Sequence, residues 1–119
     1  MSFKTLLAYQ KGFALAMEIF HLTKSFPKSE LYMLTSQIIR SSRSVCSNLS
    51  EGYRKRKYPK HFVSKLTDSD MENSETQLWL DFASACEYIN QKQYKNYTEK
   101  SEEVGKLINY MINKPDKYS

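Results

Sequence analysis

The sequence is poor in the residues that interrupt secondary structure. Glycine and proline occur only three times each among 119 residues. So few turn-forming residues leave room for a small number of long elements, and long elements in globular proteins are helices. No stretch alternates apolar and polar residues with a period of two, which is the pattern of a half-buried strand. We therefore predict an all-α protein.

Long apolar runs and targeting signals are missing as well. No run approaches the roughly 20 apolar residues that a membrane span needs. Residues 1–10 lack the charged-then-apolar pattern of a signal peptide. Cys46 and Cys86 stand alone in the sequence, and we expect two buried thiols in a reducing compartment. These absences predict a cytoplasmic protein without membrane attachment.

Signatures of catalysis and of cofactor binding are also absent. There is no glycine-rich phosphate loop and no Gly-x-Ser-x-Gly turn around a nucleophilic serine. Glu18 and His21 have the Glu-x-x-His spacing of di-metal bundle proteins, but that chemistry requires a second such pair. The other histidine, His61, has Tyr58 three positions before it. We predict no enzyme activity, no metal site and no cofactor.

Positive charge is in excess, and it is concentrated in the first half of the chain. The net charge is +5, with 11 Lys and Arg against 3 Asp and Glu in residues 1–60, and 7 against 10 in residues 61–119. This asymmetry suits a polyanionic partner or charge pairing between subunits. An acidic cluster in the second half lacks the glycine-containing loop of a calcium site, and we expect it to pair with basic residues of a neighbouring helix or subunit. Its members are Asp68, Asp70, Glu72 and Glu75.

Apolar residues spaced by three and four predict four helices. The first covers about residues 3–25 and ends before Pro27. The second covers about residues 29–51, with Ser29 as its N-cap, and the third about residues 60–88. The fourth follows a capping box formed by Asn90 and Gln93 and ends at Lys114-Pro115. Short connections predict one antiparallel, up-down-up-down four-helix bundle over residues 1–119.

Each predicted helix has an apolar stripe that we expect to face the core. The stripe of the first helix is Leu6, Tyr9, Phe13, Ala16 or Met17, and Phe20, and it is widened by Ile19, Leu22 and Phe26. That of the second is Leu31, Leu34, Ile38, Ser42, Val45 and Leu49. That of the third is Phe62, Leu66, Leu78, Phe82, Cys86 and Ile89. That of the fourth is Tyr94, Tyr97, Ser101, Val104, Ile108 and Met111.

Several segments of the chain match the pattern of a known family. They are Phe26-Pro27, LTSQI at 34–38, RSS at 40–42, SNLSEGY at 47–53 and ETQL at 75–78. With these segments the chain resembles the bacterial proteins encoded in intervening sequences of 23S rRNA genes, sometimes labelled S23 ribosomal proteins. The resemblance implies an antiparallel four-helix bundle, often a homopentamer. It also implies kinship with accessory variability proteins of diversity-generating retroelements, which engage RNA and a reverse transcriptase through a basic surface.

Basic residues gather on the second predicted helix and in the turn after it, and Tyr53, Tyr58 and His61 accompany them. We predict one basic strip at one end of this helix that attracts phosphates, while the aromatic rings stack on unpaired bases. Neutralising about five phosphates would give a slope of roughly −3.5 to −4.5 in log K against log salt. The residues are Arg40, Arg43, Arg54, Lys55, Arg56, Lys57 and Lys60.

Two functions remain open from the sequence. One is an oligomeric bundle protein that binds nucleic acid, RNA before DNA, through this strip. The other is a homo-oligomeric adaptor that docks another protein and uses the same charges for subunit assembly. Under the second, the basic residues contact Asp and Glu of a neighbouring subunit or simply keep the turn solvated.

Overall fold

The protein, described over residues 2–118 by a computed structural model, is all-α as predicted. Within that range there is no strand. The helices are α1 (Leu7–Thr23), α2 (Ser36–Arg54), α3 (Pro59–Ala85) and α4 (Gln91–Asn113). Short 3-10 turns cover Phe3–Thr5, Lys28–Glu30 and Pro115–Tyr118, and a π-helical turn covers Leu31–Thr35.

The four helices form an antiparallel bundle. Each helix packs against the next one in the chain, and α4 packs back against α1, which closes the ring of four. The resulting rod measures 44 × 25 × 20 Å. The predicted up-down-up-down bundle is therefore confirmed. No helix in the described range is both long and apolar enough to cross a bilayer. The single domain over 1–119 stays a prediction, and Met1 and Ser119 lie outside the described residues.

Two apolar clusters separated by hydrogen-bonded polar side chains make up the core. One cluster includes Leu49, Phe62 and Ile108, and the other includes Ile19 and Leu80. Between them lies a set of side chains that we call the polar layer. Its members are Ser41, Ser69, Asn73, Thr76 and Ser101, all at most 3% exposed.

Hydrogen bonds within the polar layer connect three helices. The hydroxyls of Ser41 on α2 and Thr76 on α3 are 2.9 Å apart. Asn73 Nδ2 on α3 donates to the carbonyl oxygen of Ser101 on α4 at 2.9 Å. Ser101 Oγ donates to Asn73 Oδ1 at 3.0 Å and accepts from Gln77 Nε2 at 2.9 Å. Because every one of these polar groups has a hydrogen-bond partner, the groups can be buried in the centre of the bundle.

The core face of α3 differs from the predicted stripe. The buried positions alternate steps of four and three along the helix, which keeps one face toward the core, and they are Phe62, Leu66, Ser69, Asn73, Thr76, Leu80 and Ala83. Leu78 and Phe82 are 45% and 51% exposed, and Cys86 is exposed beyond the end of the helix. The prediction that these three residues face the core is wrong, because polar residues occupy the middle of the true core face. The expected burial of both thiols holds only for Cys46.

The core face of α1 matches the prediction only in part, since Leu6, Ala16, Ile19, Leu22 and Phe26 are buried as expected. Small residues Ala8 and Gly12 are buried on this face together with Leu15 and Ile19. Phe13 and Met17 are 51% and 39% exposed, so the predicted stripe of α1 lies partly on the surface. The small side chains of Ala8 and Gly12 let α2 and α4 come close to α1. The stripes of α2 and α4 are confirmed except for exposed Leu31 and half-buried Tyr94 and Tyr97.

The ends of the first two helices are more irregular than predicted. Leu6 has an extended backbone (φ −68°, ψ 127°), so the 3-10 turn before it is separate from α1. Ser29 lies inside a 3-10 turn and is not the N-cap, whereas Glu30 accepts a hydrogen bond from the backbone N–H of Leu34 at 3.4 Å. Gly52 does not interrupt α2. A Cβ at this position would lie 3.0 Å from Lys65 Cβ, so glycine permits the close approach of α3.

The turn between α3 and α4 is well determined by its backbone hydrogen bonds. Tyr88 N–H donates to the carbonyl of Ala83, and Glu87 N–H donates to that of Ser84. This pair is the Schellman arrangement that ends many helices. It places Glu87 in the left-handed region with φ 63°. The helix α3 ends at Ala85, three residues before its predicted end. The capping box of Asn90 with Gln93 is confirmed.

Candidate nucleic-acid interface

The connection between α2 and α3 presents four basic side chains to solvent. Arg54 is the last residue of α2, and Lys55 is its C-cap. Lys57 lies in the turn, and Lys60 lies in the first turn of α3. All four are exposed. The backbone of Tyr58 (φ −114°, ψ 89°) lies outside the helical region, which residues before proline avoid, and this conformation separates the two helices.

Arg56 behaves differently from its neighbours in the sequence. Its guanidinium lies 4.2 Å from the centroid of the Tyr53 ring, and Nη1 donates to the carbonyl of Tyr53 at 3.0 Å. Arg56 is half-buried as a result. Tyr58 and His61 make an edge-to-face ring contact on the other side of the turn, and Tyr58 is 63% exposed.

The fold adds basic residues from both ends of the chain to this connection. Since α1 begins and α4 ends where α2 passes into α3, Lys4, Lys114 and Lys117 come to the same end of the bundle. The contact between the rings of Phe62 and Tyr118, 6.1 Å apart, holds the last turn there. We call this surface, made of residues 2–6, 54–60 and 114–118, the basic end.

Charge at the two ends of the bundle is unequal. The basic end holds eight Lys and Arg residues and one acidic residue, Asp116. The connections at the other end, residues 24–35 and 86–91, hold two lysines and two glutamates. Lys4, Lys114 and Lys117 were not among the predicted site residues. The predicted up-down-up-down topology was the signal that could have placed them beside the α2–α3 turn.

Arg40 and Arg43 do not lie at the basic end. Arg40 is in the second turn of α2, and Arg54 is the last residue of that helix, so roughly 21 Å of helix separates them at 1.5 Å per residue. The prediction of one strip at one end of helix 2 is therefore corrected. Arg40, Arg43 and Arg54 still share a flank of α2, since their spacings are close to whole turns. Arg43 lies over the Phe20 ring at 5.3 Å.

The ion pairs within residues 2–118 involve none of the basic residues described above. The four pairs join Lys11 to Glu103, Lys65 to Glu51, Lys95 to Glu99 and Lys100 to Glu18. None involves an arginine or a residue of the basic end. The hydrogen bond to Glu51 raises the pKa of the Lys65 amine. The positive charge at the basic end is therefore available to a partner molecule.

The acidic cluster of α3 lies on other faces of the bundle. Asp70 accepts a hydrogen bond from Asn109 Nδ2 at 3.1 Å. Partial burial raises the pKa of Glu72, and the neighbouring Glu75 adds to this effect, while Ser44 and Arg40 oppose it. Within residues 2–118, no three His, Cys, Asp or Glu side chains are grouped to hold a metal ion. Arg40 of α2 lies near Glu72 of this cluster, and Lys65 lies near Asp68.

Glu18 and His21 do not form the metal pair that their spacing resembles. Glu18 Oε1 accepts a hydrogen bond from Lys100 Nζ at 2.6 Å, so its carboxylate serves the contact between α1 and α4. The His21 side chain is exposed on the last turn of α1, where its ring lies 5.4 Å from that of Phe20.

Two exposed apolar patches lie mostly outside the basic end, and the first of them reaches Phe3. The first, on α1 and α2, surrounds a shallow cavity of about 410 Å³ lined by Phe13, Met17 and Arg43. The second, at the π-helical turn and α3, surrounds one of about 350 Å³ lined by Met33, Trp79 and other residues. Tyr32 and Met33 in this second patch are 88% and 65% exposed.

Comparison with known proteins identifies the family. The sequence profile described as 23S rRNA-intervening sequence protein matches residues 4–110. The chain belongs to this family. A solved structure of a protein with unknown function from the S23 ribosomal protein family of Bacteroides thetaiotaomicron is similar to it, with 27% sequence identity and a TM-score of 0.80. The similarity covers 90% of this chain and 96% of that one. A search of curated proteins found no match.

Membership of the 23S rRNA-intervening sequence family confirms the resemblance that the sequence predicted. The family fold agrees with the bundle described above. Neither comparison bears on the expected pentamer, on RNA binding or on a cellular compartment, and these stay predictions. The similar protein is itself described as one of unknown function, so the function has to be argued from the side chains of this chain.

Proposed function

We propose that this protein is a non-enzymatic, oligomeric RNA-binding bundle protein of the cytoplasm whose basic end contacts the phosphate backbone. One observation carries the proposal. Eight basic residues and one acidic residue converge on the basic end, and no basic residue there is engaged in an ion pair with another described residue. Cations that are not neutralised within the protein attract polyanions and steer their association.

RNA is the polymer we propose first. Tyr58 is well exposed beside Lys57 and Lys60, and an exposed aromatic ring next to phosphate contacts is suited to an unpaired base. Single-stranded loops and ends with accessible bases are the usual targets of RNA-binding proteins. The rRNA in the family's name also makes RNA the natural first ligand to test.

The test compares salt-dependent RNA binding between matched variants. Arg54→Gln with Lys57→Gln removes two charges from the basic end, and Lys28→Gln with Lys92→Gln removes two exposed charges at the opposite end. Fluorescence anisotropy with a labelled RNA gives log K against log salt. Wild type is expected to have a slope of about −3.5 to −4.5, and the first variant a slope smaller in magnitude by about 1.4 to 1.8.

The control variant should keep the wild-type slope. A third variant, Arg40→Gln with Arg43→Gln, tests whether RNA continues along the flank of α2. No wild-type binding at about 50 mM salt, or a flat dependence on salt, would remove the proposal. Single- and double-stranded DNA of the same length measure the preference for RNA.

The second candidate is a homo-oligomeric adaptor, and the two apolar patches favour it. Arg43 borders the α1–α2 patch, whereas Glu75 lies one helical turn from Trp79 in the other patch. Opposite charges beside two different apolar surfaces suit contact between copies of the chain. Under this candidate, Phe13→Ser with Met33→Ser, one change in each patch, changes the mass in sedimentation equilibrium or the capture of a protein partner but leaves RNA retention unchanged.

A further inference from the structure

A half-open cavity lies at the basic end, between the start of α1 and the ends of α2 and α4. Its volume is about 480 Å³, within the range of about 300–1,000 Å³ that is usual for small-molecule sites. Its floor is apolar, and it includes the buried side chains of Leu6, Ala8 and Met111 and the half-buried Leu107. Three other cavities have a similar size, and each holds at most one cation.

Two pairs of a cation and a tyrosine line the wall of this cavity. Arg56 lies 4.2 Å from the Tyr53 ring centroid, as described above. Lys117 Nζ lies 5.5 Å from the Tyr110 ring centroid and donates to its hydroxyl at 2.8 Å. That hydrogen bond lowers the pKa of the Tyr110 phenol, which is 44% exposed. Both cations are thus positioned by rings that belong to the cavity.

Both cations retain unused hydrogen-bond donors. A guanidinium has five N–H donors and an ammonium has three. Arg56 and Lys117 each donate one hydrogen bond to a protein oxygen. Neither forms an ion pair with a described carboxylate. A ligand with an anionic group can therefore bind both cations without displacing a protein partner.

We infer that this cavity holds one nucleotide, with its base against the apolar floor and the Tyr110 ring and its phosphate between Arg56 and Lys117. A nucleoside phosphate combines a flat aromatic group with an anion, which matches the two kinds of lining. The inference rests on the proposed function, since it makes the cavity the place where an unpaired nucleotide of the bound RNA inserts. A free mononucleotide has the same chemistry and is the second source of the ligand.

The lining also determines the selectivity of the cavity. It contains no Asp, Glu, Asn or Gln side chain, and these are side chains that read the hydrogen-bonding edge of a base. Stacking and phosphate contacts accept any base. We therefore expect binding that depends on single-strandedness and phosphate but differs little among the four bases.

The experiment compares two changes to the cavity with one matched control. Arg56→Gln with Lys117→Gln removes the phosphate contacts. Leu107→Trp fills the cavity and leaves every charge in place. Lys28→Gln with Lys92→Gln is the charge-matched control at the opposite end. Urea unfolding shows whether Leu107→Trp is folded, and Thr5→Trp, at the exposed rim of the cavity, replaces it if it is not.

The ligands are a labelled oligouridine of about ten nucleotides, an RNA duplex of about 16 base pairs and uridine monophosphate. Filling the cavity should lower the affinity for oligouridine about tenfold and leave the affinity for the duplex unchanged. Removing the two cations should also reduce the salt slope for oligouridine by about 1.4. Binding of uridine monophosphate that is lost on filling the cavity shows that a free nucleotide suffices. If uridine monophosphate does not bind, but filling the cavity still lowers the affinity for oligouridine, the cavity holds a nucleotide within an RNA chain.

The outcomes separate this inference from the proposed function. If wild type binds both RNAs and the two cavity variants bind oligouridine as the control does, the cavity inference is overturned and the basic end stands. If wild type binds uridine monophosphate but neither RNA, the RNA-binding function is overturned and the nucleotide cavity stands. If wild type binds none of the three ligands, both are overturned.

Discussion

The hydrogen bonds between Asn73 and Ser101 make the polar layer open to a quantitative test. Asn73→Ala removes both of the bonds that join the Asn73 amide to Ser101, at 2.9 and 3.0 Å. Each bond contributes about 1 kcal/mol net, and the lost side-chain packing adds to this. We expect Asn73→Ala to lower the free energy of unfolding by about 2–3 kcal/mol.

Ser101→Ala affects a different set of atoms. It leaves Asn73 Oδ1 and Gln77 Nε2 without the hydroxyl that pairs with both. Unsatisfied buried polar atoms cost about 1–3 kcal/mol, so we expect a loss of about 2 kcal/mol. The double variant breaks the shared Ser101–Asn73 side-chain bond only once. Its loss should therefore be smaller than the sum of the two single losses by about 1 kcal/mol.

Urea unfolding of the four proteins, followed by far-ultraviolet circular dichroism, gives this coupling energy. The slope of free energy against urea has to agree among them for the comparison to hold. Ser47→Ala, at an exposed serine on α2, should stay within about 0.5 kcal/mol of wild type. Losses that add to within about 0.3 kcal/mol would refute the claim that these two side chains depend on each other.

Two further predictions concern the turns at the other end of the bundle. Glu87→Gly should raise the free energy of unfolding by about 0.5–1 kcal/mol. Glu87 has φ 63°, and glycine avoids the energy cost of this left-handed conformation but loses more backbone entropy on folding. A decrease in the free energy of unfolding would contradict this. The hydrogen bond from the Tyr88 hydroxyl to Glu30 Oε2, 2.8 Å long, raises the pKa of Tyr88 to about 12. The stabilisation from this bond is fully present below pH 10 and is lost as the pH rises through 12. Glu30→Gln should move this step of an ultraviolet tyrosine titration toward pH 10, and an unchanged titration would show that the bond has no such effect.

The sequence predicted the number, order and packing of the helices because most of their core positions are apolar. It failed on the core face of α3, where Asn73 and Thr76 occupy buried positions and Leu78 is nearly half exposed. Apolar periodicity detects a core face only when the buried residues are the apolar ones. The same limit applies to α1, whose buried Gly12 carries no apolar side chain while Phe13 is exposed.

The candidate site was predictable only in its contiguous part. Arg54 and Lys57 adjoin in sequence, and their positive charge is evident without a structure. Lys4 and Lys117 are 113 positions apart, and only the closed ring of four helices brings them together. The cavity that Lys117 lines depends in addition on Leu6 leaving the helical conformation, which no pattern of residue types indicated.

The close pairing of Asn73 with Ser101 has a consequence for the far end of the rod. If α4 slid along α3 by one turn, about 5.4 Å, the Asn73 amide would no longer face Ser101. The side chains of Asn73, Ser101 and Gln77 would then lose the hydrogen bonds that join them. The bonded side chains therefore fix how far each helix protrudes. Lys117, carried by the turn after α4, consequently lines the same cavity as Arg56 after α2.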